Sequence, residues 1–152
     1  MIVYRCSSKK WIKDLSGRGA YLHGGRWNSP GLAMIYTAEN NVLAALEVAM
    51  RIPLEFISSD YLMIALDIPD ETNIYKPKLT ANWNLELEAT QKTGDDFLKK
   101  GKHLVMKVPS ALVTDSYNLL INPGHADSKR IKLLEPRTIL FDKRLMEMIR
   151  TK

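Results

Sequence analysis

Cysteine is almost absent from this chain of 152 residues: Cys6 stands alone. That excludes an internal disulfide framework and a cysteine-rich zinc site, and it fits a reducing cytoplasm. With only 8 glycines and 7 prolines, a collagen-like or low-complexity chain is excluded as well. No apolar run approaches the roughly 18–20 residues needed to span a bilayer. The first residues, Met1-Ile2-Val3-Tyr4-Arg5, lack the basic region and apolar stretch of a secretory signal. What is present is a 45% hydrophobic share, enough to build a core rather than a disordered chain. The length suits one domain. The expectation is a single compact domain over 1–152, soluble and cytoplasmic, without membrane contact.

The formal charge of +5 and a pI near 9.3 invite a nucleic-acid reading, so the position of the charge matters. Residues 1–30 hold six basic groups and one acid, and 125–152 hold eight against four. The stretch 31–124 reverses this with eight basic groups and twelve acids. If the two basic ends meet in the fold, they make one positive region suited to an anion. Scattered solvated lysines are the plainer alternative.

Residues 2–6 read as a short strand rich in β-formers. Five of the eight glycines (Gly17, Gly19, Gly24, Gly25 and Gly31) then crowd into 14–31, which reads as a shaped loop. Ala33 to Thr37 reads as a second strand. A helix is expected over 39–51, with Val42, Leu43, Leu46, Ala49 and Met50 at helical spacing. Thr37 or Asn40 would cap its start, and Pro53 would end it. Glu47 falls at the margin of the apolar arc, where a carboxylate is partly desolvated yet still reaches a cleft. Further strands are expected at 61–68, 103–108, 117–121 and 138–141. Helices are expected around 84–100, with a possible break at Gly94, and over 142–150. Many strands with few helices predict an α+β, mixed α/β fold.

Several constellations fail on inspection. Gly17-Arg18-Gly19-Ala20-Tyr21-Leu22 has leucine where a dinucleotide fingerprint needs its third glycine, and no helix is expected directly after it. His23, His103 and His125 are scattered without metal-ligand spacing, so no metal is expected. Gly24-Gly25-Arg26-Trp27-Asn28-Ser29-Pro30-Gly31 is different. Its glycines free backbone N–H groups, Arg26 offers a forked cation for phosphate, and Trp27 offers a flat apolar surface. An ordinary surface turn would also satisfy this pattern. Tyr36 and Glu47 follow: a tyrosine can stack on a planar ring and a carboxylate can stabilise an oxocarbenium-like ribosyl centre. Core packing and a helix edge are their structural alternatives.

These segments resemble the RES-domain toxins of bacterial toxin–antitoxin systems. The resemblance is carried by Tyr4-Arg5, Leu15-Ser16-Gly17, the segment Gly24–Gly31, Tyr36-Thr37-Ala38 and Leu46-Glu47. It continues through Val108-Pro109-Ser110, Tyr117-Asn118-Leu119-Leu120-Ile121-Asn122-Pro123 and Phe141-Asp142, in the expected order from residue 4 to about 145. It implies an ADP-ribosyltransferase-like fold with NAD bound in a cleft between two sheets, and breakage of the nicotinamide–ribose bond. Arg26, Tyr36 and Glu47 take the catalytic positions. Arg5, Arg26, Trp27, Tyr36, Ser110 and Asn118 are the implied NAD-binding set. A cognate antitoxin, a helix-turn-helix DNA-binding protein that blocks the cleft, is the implied partner. The acceptor is open among water, phosphate and a protein side chain. The tail Asn122-Pro123-Gly124-His125 departs from the family pattern, so no role is assigned to His125. Two other classes stay open: a basic nucleic-acid-binding module, and a catalytically inactive partner-binding domain of the same fold.

Overall fold

In the computed structural model, residues 1–52 and 60–150 are described. They form eight strands and four helices: β1 Ile2–Ser8, α1 Arg18–His23, β2 Ile35–Ala38, α2 Asn41–Ala49, β3 Tyr61–Asp67 and β4 Ile74–Tyr75 lead the chain. α3 Leu87–Lys100, β5 Val105–Pro109, β6 Tyr117–Ile121, β7 Lys132–Leu133, β8 Arg137–Thr138 and α4 Lys143–Arg150 complete it. The mixed α/β expectation holds.

The strands lie in the order β4-β5-β6-β2-β1-β3-β7, with β8 also pairing β3. Only β4 and β5 run parallel; the other pairs are antiparallel. The expected two sheets are therefore one hydrogen-bonded path, but it has a weak point. β1 matches β3 over seven register pairs, from Ile2↔Asp67 to Ser8↔Tyr61. Against β2 it makes the single pair Tyr4↔Ala38. Beyond that pair β1 and β2 share no register, and this is the seam between the two halves of the sheet.

One face of the sheet buries Val3, Ile35, Ile64, Leu66, Val105, Leu119 and Ile121 in a single cluster with Ile12, Ile68 and Leu104. For five strands to reach one cluster, the sheet must curl around it, as twisted sheets do. The opposite face carries two smaller cores. One packs Cys6 and Ala38 against Leu43 and Ala44 of α2. The other packs Met106, Val108 and Leu120 against Phe97 of α3, with Trp27 and Met34.

Local departures from the sequence expectation have physical causes. The glycine-rich stretch contains α1, which starts directly after Gly17 held at φ 70°. A Cβ on Gly17 would lie 2.8 Å from the Met34 backbone nitrogen, so glycine serves both conformation and close approach there. In α2 the buried side is Leu43, Ala44 and Ala49, whereas Val42 and Met50 are 73% and 56% exposed. Asn40 is the cap: its side chain accepts from the Leu43 N–H at 2.8 Å. Thr37 instead donates to the Leu119 carbonyl. Pro53 lies outside the described residues. α3 continues through Gly94 without a break, because that glycine marks a close contact with the Trp27 carbonyl.

Candidate active site at the seam

A cavity of ≈ 470 Å³ opens where β1 and β2 part. Its wall draws on Tyr4–Ser7 of β1, the Gly17–Ala20 turn, Ile35–Ala38 of β2, one side of α2 and Asn118 of β6. That volume is within the ~300–1,000 Å³ range of small-molecule sites.

Glu47 is held in it by two side-chain donors. Asn118 Nδ2 donates to Glu47 Oε1 at 2.7 Å, and Ser110 Oγ donates to the same oxygen at 3.3 Å. Ser110 is 7% exposed and also accepts from the Leu112 N–H at 3.1 Å. The two donors are eight residues apart in sequence. The β5–β6 hairpin brings them together, since its register sets Val108 opposite Asn118 and Pro109 opposite Tyr117. Glu47 Oε2 is left to Arg51, whose Nη2 lies 3.6 Å away. The helix thus supplies a carboxylate with one oxygen fixed by the hairpin and one turned to a solvent-exposed cation.

Tyr36 shares the sheet face of Ala38 and presents its ring to the same cavity. Its hydroxyl donates to Asn28 Oδ1 at 2.7 Å and accepts from the Trp27 N–H at 3.1 Å. Burial pushes its pKa up to about 12, so it stays neutral near pH 7 and contributes a ring and a hydrogen-bonded hydroxyl rather than a base.

Arg5 is partly buried in the cavity wall and donates to the Asp14 carbonyl. Burial lowers its pKa from the usual value while the Asp14 charge opposes the shift, which leaves a guanidinium as the wall's fixed cation. Cys6 also lines the wall, and burial raises its thiol to about 11, so it serves as a small apolar side chain.

Arg26 and Trp27 stand apart from this wall. Arg26 Nη1 donates to the Asn84 carbonyl at 2.9 Å, and its guanidinium lies 5.8 Å from the Trp83 ring. Trp27 is 2% exposed and stacks on Trp83 with centroids 5.7 Å apart. The structure therefore gathers Arg5, Tyr36, Glu47, Ser110 and Asn118 around one cleft and leaves Arg26 and Trp27 in the adjoining loop.

Sequence reasoning passed over three groups. Arg51 follows Glu47 by four residues, just past the end of α2, a spacing that signals an ion pair. Arg18 and His23 line the cavity from α1, a short helix hidden in a glycine-dense stretch that reads as a loop. Asn28, within the quoted glycine segment, is 0% exposed and holds that loop together: its Nδ2 donates to the Ala20 and Leu32 carbonyls at 2.9 Å each.

Comparison with known proteins agrees with the resemblance. A protein of Sphingobium sp. (strain YBL2) named "Prs ADP-ribosylating toxin" is 33% identical over 140 residues, covering 88% of this chain and 87% of its own. A "Toxin Res" from Photorhabdus laumondii is 30% identical, covering 97% of this chain and 98% of its own. The toxin–antitoxin complex MbcT–MbcA of M. tuberculosis supplies a structural neighbour with a TM-score of 0.69 at 19% identity, covering 99% of this chain and 89% of the neighbour's. The model of the RES domain matches residues 2–142, and with nearly the whole chain matched, this protein belongs to the RES domain family.

Proposed function

We propose that the protein is the toxin of a toxin–antitoxin pair and that it cleaves the nicotinamide–ribose bond of NAD. The observation that carries this reading is the carboxylate of Glu47 in the seam cavity, one oxygen held by Asn118 and Ser110. Breaking that bond sends its electron pair to the pyridinium nitrogen, releasing neutral nicotinamide and leaving positive charge on the ribosyl carbon. A fixed carboxylate stabilises such a centre and orients a ribose hydroxyl. The Tyr36 ring gives the nicotinamide a face to stack on. Arg5 and Arg18 are the cavity's cations for the pyrophosphate. Arg26 joins them by releasing the Asn84 carbonyl, and Trp27 acts through the loop it anchors.

A nucleophile then takes the ribosyl carbon and loses a proton. Water makes the enzyme a glycohydrolase and phosphate makes it a phosphorylase. A protein side chain makes it an ADP-ribosyltransferase, the reading favoured by the name of the Sphingobium relative. Mass analysis of NAD products, with and without phosphate or cell extract, separates the three. The structural neighbour was solved with an antitoxin, which supports a cognate antitoxin here; we assign it the helix-turn-helix class and a position over the cleft. The action is placed in the cytoplasm, where NAD is abundant. Among the described residues no helix is long and apolar enough to cross a membrane.

The test follows free nicotinamide released from NAD by purified protein. Glu47→Gln keeps the shape and removes the charge. It is expected to slow release by about 10²–10³-fold, in the range of losing one transition-state-stabilising group. Wild-type-like release by Glu47→Gln sinks the role assigned to this carboxylate.

A further inference from the structure

Arg51 directly follows α2 and has its guanidinium carbon 5.6 Å from the centroid of the Tyr36 ring. Its Nη2 is 3.6 Å from Glu47 Oε2, and its side chain is 57% exposed where that of Glu47 is 20% exposed. The arginine thus covers the carboxylate from the solvent side of the cavity, over the ring. A planar cation in that place satisfies both the ring face and the carboxylate charge.

The same two surfaces are what the reacting end of an oxidised nicotinamide nucleotide requires. Its ring is a planar cation seeking the aromatic face, and its ribosyl carbon gains positive charge beside the carboxylate. Two cations within a few ångströms repel, so the guanidinium and the pyridinium cannot occupy this space together. The fixed side of the site, Glu47 Oε1, is held by Asn118 and Ser110 and does not depend on Arg51. The exchange therefore replaces one cation by another without dismantling the carboxylate's support. An ion pair this open to solvent is weak enough to be displaced.

We propose that Arg51 is a displaceable counter-ion. In the free protein its guanidinium holds the place between Tyr36 and Glu47 that the cationic end of the substrate takes on binding. This inference rests on the NAD reading for its substrate, but its effect on cations is measurable without turnover. Arg51 acts here as a specificity residue: an entering ring must bring its own positive charge to leave Glu47 paired. A neutral ring that displaces the arginine leaves the carboxylate without a cation.

The experiment titrates the wild type and Arg51→Gln with 1-methylnicotinamide, a phosphate-free cation, and with neutral nicotinamide. Removing the guanidinium is expected to tighten the cation about three- to ten-fold, the scale of one exposed ion pair plus one exposed cation–π contact. Neutral nicotinamide is expected to change by less than about two-fold, because an uncharged ring is not repelled by the guanidinium and does not have to expel it to stack. Arg51→Lys, which keeps the charge, is expected to bind the cation as the wild type does. With NAD itself, Arg51→Gln is expected to lower KM. The proposal is overturned if the cation binds no tighter to Arg51→Gln, or if nicotinamide tightens to the same degree. A rise in KM would instead make Arg51 an ordinary substrate-binding group, and that also overturns it. If the wild type releases no nicotinamide from NAD, the functional reading fails, while the two titrations still decide the role of Arg51.

Discussion

The glycine-rich loop, bonded to the Tyr36 hydroxyl, and the α2 end, whose Arg51 lies over the Tyr36 ring, are built on opposite terms. The loop is saturated. Asn28 ties it to Ala20 and Leu32, Gln91 Nε2 donates to the Gly25 carbonyl at 2.9 Å, and Asp95 Oδ1 accepts from the Ser29 N–H at 2.9 Å. The α2 side is open: among the described residues Glu47 Oε2 pairs with a solvent-exposed arginine at 3.6 Å, and Arg51 stands over an aromatic ring. Of the two side chains that look ready for a ligand in sequence, Trp27 is buried in the loop's packing and Arg26 rests on the Asn84 carbonyl. The carboxylate at the centre of the cavity sits instead on a plain amphipathic helix and is held from the end of a hairpin. Rigidity on one side of a cleft lets the other side exchange partners without loss of shape.

The sharpest way to break this contrast is to unpin the loop. A Cβ on Gly94 would lie 1.6 Å from the Trp27 carbonyl oxygen, a backbone atom that cannot swing aside. Gly94→Ala must push α3 away from the loop, and an overpacked buried contact of this kind costs about 3 kcal/mol. The melting temperature is expected to fall by roughly 6–12 °C for a chain of this size. A melt within about 1 °C of wild type would mean that α3 and the loop are not in contact in solution.

Tyr36 tests the boundary itself. Its pKa is pushed up to about 12 from 10.0, chiefly by burial. A raised pKa means the folded state keeps a proton that the unfolded chain gives up. The stability this represents is complete below pH 10 and is lost as pH climbs from 10 to 12, on the order of 2–3 kcal/mol in all. Tyr36→Phe removes that component, so its denaturation midpoint should fall less steeply across the window than that of the wild type. At pH 7 the same variant is expected to be less stable by about 1–2 kcal/mol, because Asn28 Oδ1 and the Trp27 N–H lose their shared partner. Parallel alkaline profiles for the two proteins would show that the hydroxyl is not buried.

Much of this was legible in residue order, and the limits are physical. β6 is readable at 117–121 because Tyr117–Ile121 is a short, largely apolar run flanked by turn residues, and its last three residues are buried. Helical spacing puts Glu47 at the margin of the apolar arc, where an ordinary helix edge would explain it equally well; the family resemblance is what singles it out. Ser110 and Asn118 are not linked by any periodicity: their meeting at Glu47 Oε1 needs the register of the β5–β6 hairpin, which is a tertiary property. Gly94 reads as a helix break because intrinsic propensity penalises glycine, whereas the cost is outweighed by a contact that no larger residue allows. The seam follows the same rule. Composition shows strands, but only the register shows that β1 and β2 share one pair and then part.

The smallest effect lies on the open side, where α2 begins. Asn40 accepts from the Leu43 N–H at 2.8 Å and is the helix's side-chain cap. Asn40→Ala removes it at a cost of about 1 kcal/mol, or some 2–4 °C in the melt. Fraying would start at Asn41, nearly two turns before Glu47, and the carboxylate is held independently by Asn118 and Ser110. Nicotinamide release at temperatures below the melt should therefore stay within about two-fold of wild type, while amide exchange at Leu43 and Ala44 quickens. If release falls together with stability, Glu47 takes its position from the helix rather than from the hairpin. The open side of the cleft would then be as dependent on local order as the loop it faces.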